Sequence, residues 1–280
     1  MKVLSTVAEM RAARADLGDV GLVPTMGYLH EGHLSLVARA KSENPGVVAT
    51  IFVNPTQFGP NEDLARYPRD LPRDLGLLDA AGVDLVFAPE PDEMYPPGFE
   101  ATIVVGGVTD VLEGAVRPGH FAGVATVVAK LFNIVQPTRA YFGQKDAQQS
   151  VVIKSLVRDL NIPVEVVVAP TLREPDGLAL SSRNSYLTQG ERAAAPVIFR
   201  ALSEARRLFD AGEREAEVLR QAMREALANE AQIRVDYVSV ADPLDLHELA
   251  TIVKPALASM AVRLGTTRLI DNLLLGDARI

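Results

Sequence analysis

The sequence predicts an α/β fold, a Rossmann-like doubly wound parallel sheet followed by a smaller C-terminal α+β domain. Three observations carry that expectation. Short β-branched runs alternate with helical patterns as far as about Leu172. Several of those runs are apolar on both faces, as strands of a covered parallel sheet are. Beyond Leu172 the alternation stops, and helices precede strands, which indicates α+β. The expected domains are therefore 1–172 and 173–280, each long enough to bury a core.

The elements follow in order. Gly21-Leu22-Val23 reads as a strand, His33–Ser42 as a helix, Val47–Val53 as a strand and Asp70–Ala81 as a helix. Asp84–Phe87, Arg139–Phe142 and Val164–Val168 read as further strands, separated by helical patterns over Ala122–Val135 and Ala147–Leu160. Pro91–Pro97 is the most loop-like stretch. Strand–helix–strand spacing of this kind implies right-handed crossovers. Ligands of such sheets bind beyond the carboxyl ends of the strands, so polar motifs should fall just after strands. In the second half, Thr188 and Glu191 have capping-box spacing. Apolar residues from Ala194 to Leu208 keep helical spacing, with a kink expected at Pro196. Val218–Leu227 gives a second helix, and Arg234–Val240, Ala256–Leu264 and Arg268–Leu273 read as strands.

Composition excludes several classes of function. With 28 basic against 36 acidic residues the chain carries a net −8, which argues against nucleic-acid or anionic-membrane partners. Cysteine is absent, removing disulfides, thiolate metal sites and a thiol nucleophile. The N-terminus lacks the apolar core of a signal peptide. No apolar run approaches the ~18 residues of a membrane span. A cytoplasmic protein is expected.

The strongest motif is Pro24-Thr25-Met26-Gly27-Tyr28-Leu29-His30-Glu31-Gly32-His33-Leu34, directly after the first strand. A helix N-terminus there favours phosphate, and Gly27 and Gly32 allow close backbone approach. His30 and His33 share one helical face. The metalloprotease pattern H-E-x-x-H needs its second histidine one residue later, so a zinc site is not indicated. Asn54 and Gln57 follow the second strand. Gly143-Gln144-Lys145-Asp146 follows another, and Lys145 is one of only six lysines. An ammonium there suits phosphate oxygens, while Asp146 and Gln149 also have capping-box-like spacing. Leu180-Ser181-Ser182-Arg183-Asn184 offers two hydroxyls and a guanidinium; taken alone it is a polar turn. His120 and His247 read as structural.

Pro24–Leu34 resembles the HIGH-type signature of the nucleotidylyltransferase superfamily, in the version of the pantoate–β-alanine ligases. Phe52–Phe58, Tyr141–Gln149 and Leu180–Asn184 are similar to further motifs of that family, and Arg117–Phe121 adds a weaker match. The resemblance runs through the whole chain in order. It implies condensation of pantoate with β-alanine through a pantoyl-adenylate, with ATP as substrate, Mg²⁺ on the phosphates and a homodimeric state. It further implies that Met26, Gly27, Tyr28, Leu29, His30, Glu31, Gly32 and His33 line the ATP site. Gly143, Gln144, Lys145 and Asp146 would join them, with the ribose on Gly143 and Asp146. Leu172 would hold the adenine through its backbone, and Leu180, Ser181, Ser182 and Arg183 would surround the triphosphate. Gln57 and Gln149 would bind pantoate, Gln57 also serving β-alanine, and Gln148 would lie on the helix surface. His33, His30, Lys145 and Arg183 are the expected catalytic groups. The C-terminal domain is expected to close over the site.

Three other readings share parts of these motifs: a nucleotidylyltransferase acting on a phosphate-bearing acceptor, a kinase, and a nucleotide sensor without turnover. No Walker A pattern supports the kinase.

Overall fold

The structure, a computed structural model, describes residues 1–60 and 62–277. It forms two compact units: Met1–Gly143 with Val152–Ala169, and Gln144–Val151 with the chain from Pro170 on.

The first unit begins with β1 (Lys2–Leu4) and α1 (Val7–Arg14), neither of which the sequence pattern marks. Then come β2 (Val20–Thr25), α2 (Glu31–Glu43), β3 (Gly46–Ile51), α3 (Leu71–Ala80) and β4 (Leu85–Phe87). The loop expected at Pro91–Pro97 contains a short helix, α4 (Pro91–Met94). Pro91 opens it, where a missing N–H costs nothing and the fixed φ suits the helix. After α5 (Leu112–Val116) and α6 (His120–Val135) the unit continues through β5 (Arg139–Gly143), part of α7 (Ala147–Asp159) and β6 (Glu165–Ala169).

The six strands are all parallel, in the order β1-β4-β3-β2-β5-β6. The winding direction reverses between β2 and β5, which leaves a crevice beyond their carboxyl ends. Alternation along the strands feeds two cores. Leu22, Val48 and Phe142 pack with Met10 of α1 and with α6, whereas Val23, Ala49 and Tyr141 pack with Leu36 and Val37 of α2 and Leu78 of α3. Helices on both faces are what the doubly apolar strand runs require.

In the second unit α8 (Gln189–Ala194), α9 (Val197–Asp210) and α10 (Ala216–Ala228) precede β7 (Ile233–Ala241), β8 (Ala256–Leu264) and β9 (Thr267–Leu275). The three strands are antiparallel, in the order β7-β8-β9. Thr188 and Glu191 make the capping box, the Glu191 N–H donating to Thr188 Oγ1 at 3.3 Å and the Thr188 N–H to Glu191 Oε2 at 2.8 Å. Pro196 does more than kink the helix: α8 ends at Ala194, and Pro196 is the cap of α9. Alternate residues of β8, Ala256, Ala258, Met260, Val262 and Leu264, are buried with Ile198 and Leu202 of α9 and Leu219 and Met223 of α10. Among the described residues no helix is long and apolar enough to cross a membrane.

Candidate active site

In the first unit β2 hands over to α2 through two left-handed residues, Gly27 at φ 81° and Tyr28 at φ 52°. That region is uncommon for a residue with a side chain, and a buried carboxylate holds it in place. Asp74 of α3, 1% exposed, accepts the Tyr28 N–H at 2.6 Å and the Leu29 N–H at 2.8 Å. Arg73 donates to the Leu29 carbonyl at 2.9 Å and lies 5.3 Å from the Tyr28 ring centroid.

His30 then caps α2. The Gly32 N–H donates to His30 Nδ1 at 3.2 Å and the His30 N–H to His33 Nδ1 at 3.3 Å, with the rings 4.1 Å apart. Two imidazoles thus take the parts that Ser and Glu play in a capping box. Accepting at Nδ1 places the proton of each neutral ring on Nε2. Each neutral ring then carries its N–H at Nε2, beside a helix N-terminus that favours anions. The motif joins β2 to α2, after a strand as the sequence reading expects, and β2 borders the point where the winding of the sheet reverses.

Gln57 lies in the turn Pro55–Gln57 after β3, 8% exposed. Asn54 Nδ2 donates to Gln57 Oε1 at 3.1 Å, which turns Gln57 Nε2 toward the Met26 sulfur at 3.0 Å. A thioether is a weak acceptor, so a ligand oxygen would be the better partner. Asn54 is set in turn by Tyr95, whose hydroxyl donates to Asn54 Oδ1 at 2.7 Å. The Gln57 carbonyl accepts from His120 Nδ1 at 2.8 Å, and Arg117 donates to His120 Nε2 at 2.9 Å while pairing with both Glu62 oxygens at 2.7 Å. Burial, reinforced by the Arg117 charge, holds the His120 imidazole down to about 4.

In the second unit Gln144, Lys145 and Asp146 form a turn ahead of α7. Lys145 Nζ is 3.4 Å from Asp146 Oδ1. Ser181 caps the turn Ser182–Tyr186, accepting from the Arg183 N–H at 3.3 Å, and the Leu180 N–H donates to the Leu172 carbonyl at 3.0 Å. Lys145 and Ser181 line one small pocket with Ala179, Asn184 and Asp271. Gln149 is half-buried on α7. Gln148 departs from expectation: it is 6% exposed, packed into the fold rather than lying on the helix surface.

The pantoate–beta-alanine ligase family model matches residues 2–274. The chain belongs to that family. A pantothenate synthetase from Roseiflexus sp. (strain RS-1) is 66% identical over 98% of this chain and 99% of its own. The crystal structure of pantothenate synthetase from Thermus thermophilus superposes with a TM-score of 0.94 at 56% identity, covering 98% of this chain and 99% of that one. The pantoate–beta-alanine ligase of Francisella tularensis, solved in complex with beta-gamma ATP and beta-alanine, gives 0.81 at 37% identity over 98% and 97%.

Several residues that shape the candidate site carry no signal in the sequence pattern. Asp74 reads as an ordinary first-turn acid of α3, and Tyr95 falls in the loop-like stretch. Asn272 lies within an apolar strand run, yet its side chain donates to the Gln144 and Lys145 carbonyls at 2.8 and 3.0 Å. Among the described residues no group of three or more His, Cys, Asp or Glu side chains could hold a metal ion.

Proposed function

We propose that the chain condenses (R)-pantoate with β-alanine, converting ATP to AMP and pyrophosphate, in pantothenate biosynthesis. Membership of the ligase family over residues 2–274 carries this reading. The paired imidazoles at the switch point support it, since they suit a reaction that builds charge on phosphate oxygens.

In the first step the pantoate carboxylate attacks the α-phosphorus, pyrophosphate leaves and pantoyl-adenylate forms. His30 and His33 donate from Nε2 to phosphate oxygens, while Lys145, Arg183, Ser181 and Ser182 meet the rest of the triphosphate. Mg²⁺, entering as the complex with ATP, would supply charge neutralisation on the phosphates beside Lys145 and Arg183. The Met26–Gly32 turn, Gly143, Gln144 and Asp146, and the backbone of Leu172 and Leu180 complete nucleotide binding. Gln57 and Gln149 hold pantoate; both are neutral, so neither side chain neutralises the attacking carboxylate. In the second step the neutral amine of β-alanine, with Gln57 nearby, attacks the acyl carbon, AMP leaves, and the ammonium formed loses a proton. In this reading 1–172 is the domain that binds nucleotide and pantoate, 173–280 contributes to phosphate binding, and the enzyme works as a cytoplasmic homodimer.

Chromatography of the products tests the reading. AMP, pyrophosphate and pantothenate are expected only when MgATP, pantoate and β-alanine are all present. ADP as product, or no turnover, rejects it.

A further inference from the structure

Lys145 sits on a turn of three residues, and a turn that short is placed by what grips its backbone. The grip comes from β9. Asn272, 3% exposed, donates from Nδ2 to both the Gln144 and the Lys145 carbonyl, and its Oδ1 accepts from Gln144 Nε2 at 3.3 Å. Carbonyls only accept, so the amide has one orientation that satisfies all three bonds. A hydroxyl would supply one donor where two are used, and a carboxylate would supply none.

Asn272 is fixed from its own backbone as well. Its N–H donates to Asp271 Oδ1 at 2.8 Å, and its carbonyl accepts from Arg173 Nη2 at 3.2 Å. Arg173 and Asp271 pair fork to fork at 2.5 and 2.9 Å, with Asp271 3% exposed and the guanidinium 4.2 Å from the Phe199 ring centroid. A buried bidentate pair has little freedom to rotate, and it sets the strand position from which Asn272 reaches. The chain of contacts runs without a break from Phe199 to the Lys145 carbonyl.

We propose that Asn272 is a positioning residue for the ligase reaction, holding the Gln144–Lys145 turn so that the Lys145 ammonium meets the phosphates of ATP, with the Arg173–Asp271 pair holding Asn272. This rests on the reading that Lys145 contacts those phosphates. A misplacement of about 1 Å in a charge that acts on a developing transition state costs on the order of a hundredfold in rate.

The test is a double-variant cycle read in kcat and in KM for ATP, with thermal melting alongside, for Asn272→Ala, Lys145→Ala and the two combined. Asn272→Ala is expected to lower kcat/KM for ATP about 10- to 100-fold, leaving KM for pantoate unchanged. The combined variant should be no slower than Lys145→Ala, because a residue that acts through the lysine has nothing left to position. Losses that multiply in the combined variant overturn the proposal, as does an Asn272→Ala enzyme with the parent's kcat/KM. A Lys145→Ala enzyme that keeps the parent's kcat/KM brings down the reading of Lys145 itself, and the proposal with it. Should Asn272→Ala fail to fold, Asn272→Leu keeps the side-chain shape without the donor and carries the same comparison.

Discussion

At Gln57 the side-chain amide is turned by Asn54 until its nitrogen faces the sulfur of Met26. That arrangement predicts what a single-atom change should do. Gln57→Glu keeps an oxygen for Asn54 but replaces the donor with a charged oxygen, facing a substrate that is itself an anion. Loss of a hydrogen bond to a charged group costs about 1.5–3 kcal/mol, or roughly 10- to 100-fold. KM for pantoate should rise by that factor while KM for ATP stays put, and steady-state kinetics with each substrate varied separates the two. Gln57 and the two histidines are legible in the sequence because they follow strands directly. Asp74 is not, because its role exists only once Tyr28 adopts a positive φ and turns two consecutive N–H groups toward α3. Local spacing holds no record of that.

Helix α6 passes so close to the turn after β3 that Gly123 has no room for a side chain. A Cβ there would lie 2.4 Å from the Thr56 carbonyl oxygen and 2.7 Å from the Gln57 nitrogen. In an exposed helix Gly→Ala stabilises by about 1 kcal/mol; here the sign should reverse. Gly123→Ala must push the Pro55–Gln57 turn away, at a cost of about 1–3 kcal/mol for overpacking. The urea midpoint should fall and KM for pantoate should rise together. A higher midpoint with unchanged KM would refute the close approach. Most elements are readable from period and punctuation, since their apolar faces are long enough to show it. β1 is not, because three residues carry no period and the strand exists through its pairing with β4, Lys2 opposite Leu85. α1 leaves a fainter trace in Thr6 and Glu9, which form a capping box at its start. Pro196 shows a limit of another kind: its position is visible, but whether it bends one helix or separates two depends on packing around it.

For the molecule as a whole, His120 couples stability to pH. It is neutral where it bridges Arg117 and the Gln57 carbonyl, and it takes up a proton only near pH 4, against an ordinary value of 6.5. Between those values the unfolded chain holds the proton and the folded one does not, so stability rises with pH across that window. It is lost as pH falls from about 6.5 to about 4, by up to about 3 kcal/mol. Urea unfolding at several pH values should show a shallower dependence for His120→Asn than for the parent, and identical slopes would count against the assignment. The change from alternating to segregated elements near Leu172 is plain in the sequence. That the second unit also takes in Gln144–Val151 is not, because nothing in the composition of that stretch sets it apart from its neighbours. Lys145 and Asn272 are 127 residues apart in the chain. A gene cut near codon 172 would therefore send Lys145 with one fragment and its anchor with the other. Neither half could be lent to another protein as a working cassette, and recombination at that point would break the very unit it seemed to isolate.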